Sequence, residues 1–209
     1  LSPENTFASG MSNGAEMSYM LSCFASETFK AIAPVAGTMF GESWTDCMSE
    51  PKPVLEIHGT NDNVTLWDGA PNDTYWGPYP GTEEVIDYWA DLSGCNSNEN
   101  LLLPNFNTIK HRYYDCTDDI EVWLYEVING GHDWPTYASQ EIWNFFANFI
   151  DSINGDLNVD GSIDILDVII LVNHILSPAT VELDGADVNN DGQVNVLDVV
   201  ALVNIILNN

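Results

Sequence analysis

The chain has 209 residues, 45% of them hydrophobic and 11% aromatic, with 32 acidic side chains against 4 basic ones and a formal net charge of −28. So few cations argue against binding to nucleic-acid phosphates or anionic membrane surfaces, and the apolar and aromatic content argues against disorder. No stretch approaches the ~20 consecutive apolar residues of a membrane span, and no basic segment followed by an apolar one marks a signal peptide. The chain opens on Leu1 rather than Met, which fits a processed product or a fragment.

In chain order, the first predicted element is a strand end at Thr6-Phe7-Ala8-Ser9, followed by Gly10-Met11-Ser12-Asn13-Gly14 and a helix from Ala15 to Cys23. G-x-S-x-G between a strand and a helix is the signature of a nucleophile elbow, in which small neighbours permit a tight turn and the serine hydroxyl projects above a sheet. Ser12 is then the candidate nucleophile, and the Asn13 amide points at an oxyanion. Val54-Leu55-Glu56-Ile57 reads as a strand, and Gly59-Thr60 opens the loop that carries Asp62. A helix is expected over Glu83–Leu92 and another strand over Val122–Val127, after which Gly130-Gly131-His132-Asp133-Trp134-Pro135 forms a glycine-rich loop. Ser12, Asp62 and His132 stand in the chain order nucleophile, acid, base that this type of hydrolase requires.

Four segments in order, GMSNGAEMSYMLSC, FKAIAPVAG, PVLEIHGTND and GGHDWP, resemble the secreted polyhydroxybutyrate depolymerase and feruloyl esterase family of α/β-hydrolases over about residues 5–150. The resemblance implies hydrolysis of esters on polymers or cell-wall sugars through a covalent acyl-enzyme. It places nucleophile, acid and base on Ser12, Asp62 and His132. In that fold the nucleophile follows the fifth strand, so the resemblance also implies that about the first half of the catalytic domain is absent. About four strands are then expected, with a bare sheet edge, an exposed apolar patch beside Thr6–Ser9, and feeble activity for want of a second oxyanion amide.

Other polar residues read more plainly. Ser9 and Ser18 lack the flanking glycines and are expected to pack or cap. His58 reads as a structural loop residue, His111 as surface, and His174 as exposed. Asp68 and Asp133 are the rivals of Asp62, the first as a turn residue and the second as too near His132 in sequence. Trp67, Tyr75, Trp76, Tyr79, Tyr88 and Trp89 follow the acid loop. Some of these rings suit a stacking wall for a sugar or phenol, although Tyr88 and Trp89 fit a helix core better. Ile142, Phe145, Phe146 and Phe149 have the spacing of a core-facing helix. The four cysteines are an even set in one domain. Cys23 ends the first helix and Cys47 precedes the next strand, while Cys95 and Cys116 flank the loop between a helix and a strand. Pairing 23–47 and 95–116 agrees with the family resemblance, the alternative being four buried thiols.

Composition changes near Asp151–Gly155. The first 150 residues hold every Cys, Trp, Tyr and Phe; residues 151–209 hold 10 acidic side chains and no Lys or Arg. This tail repeats with a period of 31 residues: DLNVDGSIDILD over 156–167 and DVNNDGQVNVLD over 187–198. Both fit a calcium loop, whose oxygen ligands fall at positions 1, 3, 5, 7, 9 and 12 with glycine at 6 for the turn. The first set is Asp156, Asn158, Asp160, the Ser162 carbonyl, Asp164 and Asp167; the second is Asp187, Asn189, Asp191, the Gln193 carbonyl, Asn195 and Asp198. Helices are expected over Ile165–Leu176 and Val196–Leu207, with Ile169, Val172 and Leu176 on one stripe and Val200, Val203 and Leu207 on the other.

A duplicated loop with one exiting helix and Asp at the twelfth place resembles a type I dockerin. That implies two Ca2+ ions and a cohesin domain as partner. Ile165-Leu166 and Val196-Leu197 stand at the loop positions that help choose the cohesin in dockerins, so an apolar contact is expected. The expected fold class is therefore α/β, the C-terminal half of an α/β-hydrolase sheet over residues 1–150, followed by a small all-α calcium-binding dockerin over residues 155–209. The expected function is an extracellular serine carboxylic-ester hydrolase acting on polysaccharide-linked or polyester esters. The alternative is a non-catalytic assembly protein whose dockerin is its only working part.

Overall fold

A computed structural model describes residues 5–104, 107–150, 154–177, 183 and 185–208. The chain divides into two compact units, Leu1–Ile150 and Asp151–Asn209. Among the described residues no helix is long and apolar enough to cross a membrane.

The first unit is built on one sheet of six strands: β1 (Phe7–Met11), β2 (Ala31–Val35), β3 (Val54–Gly59), β4 (Ser97–Leu102), β5 (Thr108–Tyr114) and β6 (Val122–Val127). Their spatial order is β1-β2-β3-β6-β5-β4. Strands β1, β2, β3 and β6 run parallel, and β6-β5-β4 continue as antiparallel neighbours. The helices are α1 (Asn13–Phe24), the single turn α2 (Glu42–Thr45), α3 (Thr82–Leu92) and α4 (Ala138–Ala147).

Strands buried on both faces read as nearly unbroken apolar runs. Every residue of β2 and β3 is buried. Side chains alternate between faces along β3. Val54 joins the core formed with Tyr19 of α1 and Val85, Ile86 and Trp89 of α3. Leu55 and Ile57 join the opposite core with Ile142, Phe145 and Phe146 of α4. The α4 stripe is thus core as expected, with Phe149 packed against it just beyond the helix. Glu56 and His58 share the face of Val54, so two ionisable side chains are buried beneath α1.

Both expected disulfides are present, Cys23–Cys47 and Cys95–Cys116. The expectation of about four strands is corrected to six. Cys95 and Cys116 do not flank a loop; they close the open end of the β4–β5 hairpin. This hairpin escaped notice because SNENLL and TIKHRYY are half-exposed and polar, and their cross-strand partners are ionic. Arg112 bonds Glu99 of β4 at 2.9 Å and also Glu121, and Lys110 lies over the Trp123 ring. His111, expected at the surface, is half-buried and bonds Glu126 at 2.8 Å. Strand β1 is the sheet edge as anticipated, yet the apolar patch is not beside Thr6–Ser9. Phe7 stacks on Phe146 at 4.7 Å, while Met17, Met20 and Phe24 of α1 are exposed.

The second unit holds two helices, α5 (Ile165–Leu176) and α6 (Val196–Asn208), around a small core of Leu157, Leu171, Ala186, Val188 and Leu202. The expected helix stripes are corrected here. Ile169, Leu176, Val200 and Leu207 are exposed; the buried faces carry Val168, Leu171 and Ile175 on α5 and Val199, Leu202 and Ile206 on α6. Helices that are apolar on nearly all sides give periodicity little to choose between. The face is decided by Asp167 and Asp198, which are fully buried in the first turn and fix the rotation of each helix. His174 is half-buried rather than exposed.

Candidate active site and calcium loops

The turn at Ser12 is as tight as the motif demands. Ser12 has φ 56° and ψ −119°, a left-handed conformation that side chains rarely adopt. Its amide donates to the Val35 carbonyl at 2.9 Å, and its carbonyl accepts from the Ala15 amide at 2.8 Å. A Cβ on Gly10 would sit 2.7 Å from Gly14 backbone, so the strand and helix meet where only glycine fits. Asn13 is the first residue of α1, and the free amides and dipole of a helix N-terminus suit developing negative charge.

The acid and base loops are stitched together from their own backbones. The Thr60 amide donates to the Val127 carbonyl, the Asn61 amide to the Gly130 carbonyl, and the Asn129 amide to Thr60 Oγ1. A Cβ on Gly59 would collide with Gly130, so the close approach requires glycine. Asp62 is thereby brought beneath His132. His132 Nδ1 lies 2.8 Å from Asp62 Oδ2, and Asp62 Oδ1 accepts the amides of Val64 at 2.8 Å and Thr65 at 3.0 Å. The Asp62 carboxylate is fully buried and the His132 ring is 17% exposed.

Ser12, Asp62 and His132 follow β1, β3 and β6, whose parallel course puts all three at the carboxyl end of the sheet. Ser12 Oγ and His132 Nε2 make no hydrogen bond to each other among the described residues; such contacts tighten when substrate binds. Of the rivals, Asp68 and Asp133 are exposed. Ser9 and Ser18 bond the carbonyls of Ala33 and Gly14. His58 is not in a loop; it is the penultimate residue of β3 and is buried with Glu56.

Beyond the acid loop a groove of about 480 Å³ lies between the segment after β2 and the segment after β3. Trp44, Trp76 and Tyr79 supply rings, Asp68 and Glu84 carboxylates, and no Lys or Arg lines it. Trp76 is 58% exposed, whereas Trp89 is wholly core and Tyr88 packs partly against that core.

In the second unit the two loops share most of their hydrogen bonds. Asp156 accepts the amides of Asp160 and Gly161, and Asp187 those of Asp191 and Gly192. Asn158 accepts the Asp160 amide, Asn189 the Asp191 amide; Asp160 accepts the Ser162 amide, Asp191 the Gln193 amide. Gly161 and Gly192 have φ of 85° and 82°. The ninth residues cap the helices, Asp164 accepting from Leu166 and Asn195 from Leu197.

The twelfth residues reach back across each loop. Asp167 accepts from Leu157, Asn158 and Asp164, and Asp198 from Asn189 and Asn195. Asp at the twelfth place is thus the third residue of its helix and partner of the cap, a capping box in α5. The spacing D-x-x-D over Asp164–Asp167 signals it, a reading not drawn from the sequence. Among the described residues no three His, Cys, Asp or Glu side chains are gathered at metal-binding distance. The donors are nonetheless all oxygen, with the carboxylates of Asp156, Asp167 and Asp198 buried, which suits a hard ion.

Residues 154–207 match the family model described as Dockerin type I domain. The first unit is similar to feruloyl esterases. Feruloyl esterase C of Emericella nidulans is 40% identical over 148 residues, which is 67% of this chain and 48% of that protein. Feruloyl esterase B of Piromyces equi is 28% identical over 136 residues, 62% of this chain and 25% of that protein. A solved structure, esterase PE8, covers 71% of this chain and 52% of its own with a TM-score of 0.46 at 21% identity. The chain spans a quarter to about half of the length of the curated relatives it matches. Residues 154–207 thus match a type I dockerin, a kind of domain that binds calcium, and the first unit is similar to part of an esterase.

Proposed function

We propose that this sequence is the catalytic portion of an extracellular serine carboxylic-ester hydrolase that cleaves esters on polysaccharides, and that its dockerin tethers it to a cohesin. The 2.8 Å hydrogen bond from His132 to a buried Asp62, at the carboxyl end of the sheet that also carries the strained Ser12, supports this best. Asp62 holds the imidazole with its Nδ1 protonated, leaving Nε2 as base. Ser12 Oγ attacks the ester carbonyl and gives its proton to Nε2; the oxyanion meets the Asn13 amide. Collapse expels the sugar oxygen, which takes the proton from His132. Water then attacks the acyl-enzyme by the same path and frees the acid.

Each calcium loop takes one ion, held by Asp156, Asn158, Asp160, the Ser162 carbonyl, Asp164 and Asp167 in the first and by Asp187, Asn189, Asp191, the Gln193 carbonyl, Asn195 and Asp198 in the second. Bound cations would offset the negative charge of each loop. Ile165, Leu166, Val196 and Leu197 are each more than half exposed, which suits an apolar seat for a cohesin.

A fluorophosphonate probe tests the enzyme reading. It should label Ser12 and no other serine, and labelling should vanish in Ser12→Ala. A chain that binds a cohesin but never reacts with the probe would instead be an assembly protein. The rings and carboxylates of the groove suit a neutral sugar, whose C–H face stacks and whose hydroxyls donate. Trp76→Ala should raise KM for a feruloylated oligosaccharide about 3- to 10-fold, the worth of one stacked ring. The change for a nitrophenyl ester, which lacks the sugar, should be smaller. Equal changes for both would remove the groove from the substrate path, and a preference for polyester oligomers would move the substrate class.

A further inference from the structure

Glu56 and His58 stand on the face of β3 turned toward α1, beneath the acid loop, and neither has a part in the reaction proposed above. His58 Nε2 lies 2.9 Å from the Thr65 carbonyl, and a carbonyl only accepts, so Nε2 carries a proton. His58 Nδ1 lies 2.9 Å from Glu56 Oε1. Glu56 also takes the Tyr19 hydroxyl on Oε2 at 2.9 Å and the Gly37 amide. The Tyr19 hydroxyl and the Gly37 amide both donate to this carboxyl and favour its ionised form, which places the shared proton on Nδ1 and makes His58 a cation. The Nε2 end of that cation lies 3.5 Å from Asp62 Oδ2, the oxygen that holds His132.

The geometry points to Glu56 and His58 as a buried ion pair that clamps Asp62 from a second side, positioning the acid for His132. Thr65 closes the clamp, since its amide binds Asp62 and its carbonyl binds His58. Asp62 then sits among two backbone amides and two imidazoles and has no freedom to rotate away. This role rests on the hydrolase reading, but the ion pair itself does not.

Burial opposes the charge on His58, yet the hydrogen bond and charge of Glu56, the Thr65 carbonyl and the Asp62 charge outweigh it and hold the imidazole above its ordinary value. Burial outweighs the pull of His58, Tyr19 and Gly37 and holds the Glu56 carboxyl above its ordinary value, while those donors limit the rise. The other groups around the pair are engaged or turned away. Glu126, its neighbour on β6, is bound to His111; Glu141 of α4 is bound to Tyr125; and Glu83, Glu84, Asp87 and Asp91 of α3 are exposed. Trp67 meets the His58 ring edge-on at 6.0 Å.

Imidazole ¹⁵N NMR of the full chain reads the pair directly, with His132→Ala used to assign signals. His58 should show two N–H nitrogens at about pH 7, where a free imidazole is mostly neutral. A single protonated nitrogen there would overturn the proposal. The double variant Glu56→Gln/His58→Gln keeps the shapes and several hydrogen bonds without burying an unpaired charge. Removing the cation on the far side of Asp62 should raise the His132 midpoint by about half a unit or more. A merely structural pair would leave it where it was, and an unchanged midpoint in a folded double variant refutes the positioning role. These readings need no ester turnover, so failure of Ser12 to react with a phosphonate would remove the hydrolase reading and leave the ion pair standing.

Discussion

Ser12→Ala is expected to lower ester turnover by on the order of 10⁴- to 10⁶-fold, because nucleophile and base act as one unit and neither works alone. Alanine bears the same left-handed φ as serine at this turn and loses only an oxygen, so stability should scarcely change. His132→Ala should cost nearly as much. Asp62→Asn is the finer probe. Its Oδ1 can still accept the Val64 and Thr65 amides, but a carboxamide cannot hold the imidazole in the working tautomer, and about 10⁴-fold in kcat should be lost. Steady-state hydrolysis of a nitrophenyl ester measures all three. Ser12→Ala with more than a small fraction of parental activity would end the assignment.

Chelation should unfold the second unit and spare the first. Residues 151–209 carry 10 acidic and no Lys or Arg side chains, so self-repulsion opposes their folding. The core that resists it is small, with five buried apolar residues among the described ones. A ligand that binds only the folded form contributes about 4 kcal/mol per site at a thousandfold excess over Kd. Two sites of that size decide the state of so small a unit. In thermal scans followed by circular dichroism, a chelator should abolish the transition of α5 and α6. The transition of the disulfide-closed first unit should stay where it is. Identical spectra with and without calcium would refute the metal reading.

What could be read from residue order was what depends on neighbours in the chain. G-x-S-x-G between strand and helix, a duplicated D-x-N-x-D-G loop and a strand before GGH are all local. The elements at Phe7–Met11, Asn13–Phe24 and Val122–Val127 stand where those patterns put them. The β4–β5 hairpin was missed because half-exposed strands with paired charges look like loops. The α5 and α6 faces were misassigned because apolar residues surround both helices.

The sequence by itself determined the two-part organisation and the α/β and loop-helix elements, and it offered candidates for reaction and for calcium binding. The reason is that turns, caps and periodicity are set by backbone sterics over a few residues. Only the tertiary structure decided which groups meet. Asp62 and His132 are 70 residues apart, and the glycine contact between Gly59 and Gly130 brings them together. In the sequence Glu56 reads as a polar residue within a strand and His58 as a structural loop residue; only the tertiary structure buries them together. In that buried place a carboxylate and an imidazole must answer each other's charge, and Asp62 lies 3.5 Å from the imidazole.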